Sequence, residues 1–205
     1  MRGRTKFKKY KKIINCLTKV AYTLPKGLRL KLFYHFRKTQ GNKGLVIRYI
    51  LLKALAESCG DNVSIHPDVY IFHPENLSIG NNVSIHPMCY IECGEGKIKI
   101  GNDVSIAHAA TILAVNHNYS DNELNIKDQG IEIGETIIED NVWIGAKASI
   151  LMGRRIEEGA IIGANTLVTK NVEKNTVVGG IPNKVLKRRG EKWKYYLFIH
   201  TNLER

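Results

Sequence analysis

The chain has 205 residues, 43% hydrophobic and 24% charged, enough for one buried core and a small appendage. It holds no run of about 18 uncharged apolar residues, which excludes a bilayer-spanning helix, and its four cysteines (Cys16, Cys59, Cys89, Cys93) match no paired metal-ligand spacing. The net charge of +12 is segregated: residues 1–55 carry sixteen Lys and Arg and no Asp or Glu, which leaves the remainder near neutral.

A basic block of this kind implies an anionic partner surface, such as phospholipid headgroups, a lipid-pyrophosphate glycan or nucleic acid, or else a solvated helical face. Nucleic acid is disfavoured, because neither a recognition motif nor an interleaved aromatic platform is present. The stretch Ile13 to Leu24 is broken by Asn15, Thr18 and Lys19 and lacks a small-residue cleavage site, so it does not read as a secretory signal. A cytoplasmic location with reduced cysteines is therefore expected, with peripheral contact at the inner face of the membrane left open.

From Leu24 to Glu57, Leu28, Leu32, Phe36, Ile47, Ile50, Leu51 and Leu55 recur at three- and four-residue spacings, predicting two amphipathic helices separated at Gly41 and Gly44. Residues 1–58 thus form a basic helical region. After Gly60 the period changes. Isoleucines fall six apart at Ile65 and Ile71; at Ile79, Ile85 and Ile91; at Ile100, Ile106 and Ile112; and at Ile138, Ile144, Ile150, Ile156 and Ile162, with Val168 next. A small or β-branched residue stands two places before most of them, as at Val63, Cys89, Ala110, Val142 and Ala160.

Six residues are too few for a helical repeat but suit one face of a triangular parallel coil. Each isoleucine then stacks inward on that of the next turn, and Gly, Asn and Asp take the corners. A β-sandwich would instead show period-two strands at variable spacing. The coil is expected over 59–186, with a helical tail over 187–205. A polar, turn-rich insertion at 114–130 interrupts the register, and loops projecting from a rigid scaffold are where function concentrates.

The residues Asp140-Asn141-Val142-Trp143-Ile144-Gly145, Ile162-Gly163-Ala164 and Val168-Thr169-Lys170, together with Asn116-His117, resemble the acetyltransferase branch of the hexapeptide-repeat family over roughly residues 60–189. That branch includes galactoside, maltose, nodulation and surface-polysaccharide O-acetyltransferases. The resemblance implies a mainly β fold, a left-handed parallel β-helix in a homotrimer, with acetyl-CoA as acyl donor, no metal and a saccharide hydroxyl as acceptor, possibly lipid-linked.

Acyl transfer to a hydroxyl needs a base, and an imidazole is partly neutral at cytoplasmic pH. The resemblance puts His117 in that role; a lone loop histidine is otherwise a solvated polar residue. It also implies that Glu92, Asn116 and Trp143 line the acceptor, and that the backbone at Gly145 and Ala146 faces the thioester and donates to its oxyanion. Ala164, Thr169 and Lys170 would follow the pantetheine arm, and Lys184 and Lys187 the phosphates, extended by Arg188 and Arg189. Glu92 is equally readable as a surface carboxylate, Trp143 as packing, and Tyr119 as a loop-shaping residue.

The chain departs from the family pattern at Met152 and Arg154, the latter at a position that normally points inward; either the coil bulges or Arg154 turns out. His66, His86 and His108 near the corners raise a metalloenzyme alternative, weakened because no two histidines stand five apart. An antibiotic or serine acceptor and a non-catalytic coil are the remaining alternatives.

Overall fold

In the computed structural model of the chain, which describes residues 3–191, three helices precede a coil of short strands. Helix α1 spans Gly3–Thr23, α2 spans Lys26–His35 and α3 spans Gly41–Lys53. Pro25, which has no N–H to give, separates α1 from α2. Ile14, Thr18 and Ala21, spaced four and three apart, form the buried stripe of α1, and Phe7 meets Tyr49 of α3 edge-on at 5.6 Å. Gly44 lies inside α3 and separates nothing. A Cβ there would stand 2.0 Å from the Thr39 carbonyl oxygen, so only glycine lets α3 pack against that turn.

Beyond α3 the chain visits three sheets in strict rotation. The first holds Ser58–Cys59, Leu77–Ile79, Lys97–Ile100, Glu135–Ile138 and Arg155–Ile156. The second holds Ser64–Ile65, Ser84–Ile85, Ser105–Ile106, Trp143–Ile144, Ile161–Ile162 and Thr176–Gly179, and the third Tyr70–Phe72, Tyr90–Glu92, Thr111–Leu113, Ser149–Ile150 and Leu167–Val168. All pairings among these strands are parallel and keep the isoleucines aligned, as in Ile65 beside Ile85 beside Ile106. The hexad residues that set the expectation point inward and are buried. All three faces pair with the coils above and below, and backbone N–H groups such as those of Gly60, Ser64, His66 and Tyr70 donate to carbonyls one turn away.

The corners bend by left-handed residues. Asn62, Asn82, Asp103 and Asn141 (φ 56–59°) turn the chain from the first sheet to the second, and types with short polar side chains tolerate that conformation. Between the second and third sheets Met88, Ala109 and Lys147 take the same conformation without that tolerance, at about 1 kcal/mol each. At the first corner the side-chain oxygens climb as a ladder: Asn81 accepts from the Asp61 N–H (2.8 Å), Asn102 from Asn81 (2.8 Å) and Asp140 from Asn102 (2.7 Å).

At the far end, Lys184–Arg188 folds back antiparallel on Thr176–Gly179. The last strand therefore runs two residues past the boundary expected at 186, and Lys187 and Arg188 are extended, not helical. The rest of the tail expected at 187–205 lies, from residue 192 on, outside the described residues.

Candidate functional site

The insertion after the third strand of the third sheet is a hairpin. Val115–His117 pairs antiparallel with Ile131–Ile133, His117 opposite Ile131, and its neck closes where the Gly134 N–H donates to the Ala114 carbonyl (2.9 Å). The excursion thus ends at 133, three residues beyond the sequence-based limit of 130. Its tip is clamped by Gln129, whose amide oxygen accepts from the Asp121 N–H (3.0 Å) and whose NH₂ donates to the Asp121 and Leu124 carbonyls (2.7 and 3.0 Å). Nothing in the periodicity marked Gln129, because one polar residue in a polar loop carries no pattern.

His117 and Asn116 stand exposed on this hairpin, and the His117 imidazole has no hydrogen-bond or ion-pair partner among the described residues. Tyr119 is exposed as well. Glu92 ends the strand one coil below, at the same corner. Its carboxylate accepts from the Gly94 N–H (3.1 Å) and the Tyr90 hydroxyl (3.5 Å), so within one chain it does not orient His117. Next to it, burial pushes the Cys93 thiol up to about 12, with Glu92 adding to the shift, and burial pushes Cys59 to about 12 and Cys89 to about 11.

The remaining candidates divide between places. Trp143 lies on the outer face of the second sheet, flanked by Ser105 and Ile161, and is 54% exposed, which rules out core packing as its role within the chain. Gly145 and Ala146 follow it into the corner between the second and third sheets, where Ala164 sits one coil higher. The Gly145 N–H donates to the Ile162 carbonyl (2.8 Å), and a Cβ on Gly145 would meet the Ala164 nitrogen at 2.6 Å. Thr169 and Lys170 occupy the corner between the third and first sheets, and Asn183 fixes that turn by accepting from the Thr169 N–H (3.0 Å). Asn183 had no sequence signal of its own. Lys184 is exposed at the start of the returning strand, whereas Lys187 donates to the Glu191 carbonyl. Arg154 turns out of the core and across this corner, donating to the carbonyls of Met152 and Thr169 (both 3.0 Å).

The third sheet therefore separates two groups. His117, Asn116 and Glu92 lie at its edge toward the first sheet, while Trp143, Gly145, Ala146 and Ala164 lie at or before its edge toward the second. One chain does not bring them together.

A triangular coil of six-residue faces interrupted by one long hairpin is the architecture that the resemblance to hexapeptide-repeat transferases implied. The family profile described as "Bacterial transferase hexapeptide (six repeats)" matches residues 135–170. Over 180 residues the chain is 30% identical to the galactoside O-acetyltransferase of Escherichia coli K12, covering 87% of each sequence. Among solved structures it resembles a maltose O-acetyltransferase from Clostridium difficile 630 (28% identity, 81% and 87% coverage, TM-score 0.71) and a galactoside acetyltransferase in complex with coenzyme A (25% identity, 80% of each chain, TM-score 0.68). The chain belongs to the hexapeptide-repeat acetyltransferase family.

Proposed function

We propose that this acetyl-CoA-dependent acyltransferase moves the acetyl group to a saccharide hydroxyl during surface-polysaccharide synthesis, with His117 as general base. The observation that carries this reading is the exposed, unpartnered imidazole on a hairpin lifted clear of the coil. On this reading the coil is a left-handed parallel β-helix, as in its relatives, and the working unit is a homotrimer in which a neighbour supplies the corner of Gly145, Ala146 and Ala164. Ile131 and Ile133 beside His117 and Leu124 and Ile126 at the hairpin tip are exposed apolar residues, which supports a covering copy of the chain.

In the reaction His117 takes the proton of the acceptor hydroxyl as its oxygen attacks the thioester carbonyl. The oxyanion collapses, the C–S bond breaks, and the imidazolium returns the proton to the departing thiolate. Because the Gly145 N–H is committed to Ile162, the oxyanion donor at this corner is assigned to Ala146. Glu92, Asn116 and Trp143 are assigned to the acceptor, and Thr169, Lys170, Lys184 and Lys187 to the pantetheine arm and phosphates. Direct transfer without an acyl-enzyme is supported by Cys59, Cys89 and Cys93, held as thiols by burial and so poor nucleophiles. The basic helical region supports a lipid-carried acceptor at the inner face of the membrane.

The test is thiol release from acetyl-CoA across a panel of saccharides, with chloramphenicol and serine included. Turnover with a saccharide is expected, falling about 10²- to 10⁴-fold in His117→Ala. Full rate in that variant, or turnover with the non-saccharide acceptors alone, would refute the assignment.

A further inference from the structure

A groove of about 1120 Å³ runs between α1, α3 and the outer face of the second sheet. Its floor includes Ile14, Val46, Tyr49 and Val63, and one wall is a stripe of α1 formed by Tyr10, Ile13 and Leu17. These three recur at spacings of three and four, beside the buried stripe of Ile14, Thr18 and Ala21, yet they are 49%, 60% and 46% exposed. The chain thus covers only half of a broad apolar helix face. Arg4, Lys6 and Lys43 also line the groove, and no Asp or Glu does. Arg4 pairs with Asp103, while Lys6 and Lys43 are exposed and have no carboxylate partner among the described residues.

Each half of this description excludes a class of occupant. A free phosphate or a nucleic-acid backbone would satisfy the lysines but leave the Tyr10–Ile13–Leu17 stripe in water. A neutral apolar molecule would cover the stripe and leave a concentration of like charge unanswered. An amphiphile with a hydrocarbon chain and an anionic head satisfies both.

We infer that the groove between α1 and α3 binds a lipid phosphate, its apolar chain along Tyr10, Ile13 and Leu17 and its phosphate or pyrophosphate at Lys6 and Lys43. The inference deepens the reading of a lipid-carried acceptor by placing the carrier. It is tested by binding alone, so it can fail while acetyl transfer to saccharides stands.

The probe is farnesyl pyrophosphate, a short isoprenoid pyrophosphate, titrated into the full chain at 0.15 M salt beside farnesol and inorganic pyrophosphate. Farnesyl pyrophosphate is expected to bind at least about tenfold more tightly than either. The Lys6→Glu/Lys43→Glu double variant should weaken it about tenfold, and so should Leu17→Asp, with circular dichroism unchanged. Because both sets of substitutions fall on exposed side chains, folding is expected to survive them. Equal binding of inorganic pyrophosphate, equal binding of farnesol, or undiminished binding in both variants would overturn the inference. So would retention on phosphatidylglycerol vesicles without binding of the soluble probe, which would make the face a membrane contact. If Ile13→Asp dissociates the oligomer in the absence of lipid, the groove is instead an interface between copies.

Discussion

Arg48 is fully buried where α3 meets the coil, and no carboxylate bonds it. Its Nε donates to the Ile65 carbonyl (2.8 Å) and its Nη1 to those of Phe36 (3.0 Å) and Thr39 (2.7 Å), while Nη2 is unpartnered. The guanidinium thus ties the turn after α2 to the coil's first strand in the second sheet, and burial pulls its pKa below the usual arginine value. Arg48→Leu removes these bonds together and strands the carbonyls, so a loss of about 3 kcal/mol or more is expected in urea unfolding. Arg48→Lys should rescue little, since an ammonium cannot reproduce the planar fork. Exposed Arg155→Leu, which loses only a surface pair with Glu139, should stay within about 1 kcal/mol. Equal costs at the two sites would show that Arg48 is merely a space-filler. None of this was legible beforehand: Arg48 was one cation among sixteen in a block without acids, and its partners are backbone carbonyls, which leave no trace in a sequence. The inward isoleucines, by contrast, were legible because their side chains themselves carry the period.

At the scale of elements, α1 is held to the coil by few bonds. The Asp61 carboxylate receives Lys11 (2.5 Å) and Lys53 (3.2 Å), and the Lys11 hydrogen bond leads in holding its pKa below the usual aspartate value. A depressed folded-state pKa contributes stability that is fully present above the unfolded value of about 3.9 and is lost as pH falls through the folded one. Asp61→Asn should therefore lower the melting temperature at pH 6, and its difference from the parent should begin to shrink as the pH falls below about 3.9. A difference that does not change at all on acidification below that value would mean that the carboxylate's charge contributes nothing. The hairpin is the opposite case, joined to the coil only at its neck. Replacing residues 118–130 with a two-residue turn should leave the melting temperature within several degrees, since shortening a surface loop of this length changes closure entropy by only about 1.7 kcal/mol. If the site is completed between copies as proposed, acetyl transfer should nevertheless fall sharply, because the apolar hairpin tip that would meet a neighbour is gone. The insertion was visible as a break in the hexads, but its end was misplaced, because Ile131 and Ile133 alternate like coil residues although they pair antiparallel outside the coil.

At the scale of the whole molecule, α3 packs on the coil's first strands and the returning strand Lys184–Arg188 closes the last edge of the second sheet. Deleting residues 1–55 would strip that cover from Val63 and Ile65 and is no clean probe of membrane contact; charge reversal on α1 is. The sides of the coil also carry the division of the candidate site, with His117 and the Gly145–Ala146 corner on opposite edges of the third sheet, a separation that only the sheet order made explicit. If the site is completed between copies, two inactive variants should complement each other. His117→Ala removes the base, and Ala164→Trp fills the exposed corner where the pantetheine arm is assigned, each leaving the other half intact. Co-expressed in equal amounts, and if the working unit is the proposed trimer, they should form mixed trimers in which about one interface in four joins an unaltered hairpin to an unaltered corner. Activity should then recover to about a quarter of the parent's, whereas the separately purified variants mixed without subunit exchange should stay inactive. No recovery in verified mixed trimers would place base and acyl donor within one chain and overturn the shared-site reading, because each variant would then poison every site it enters.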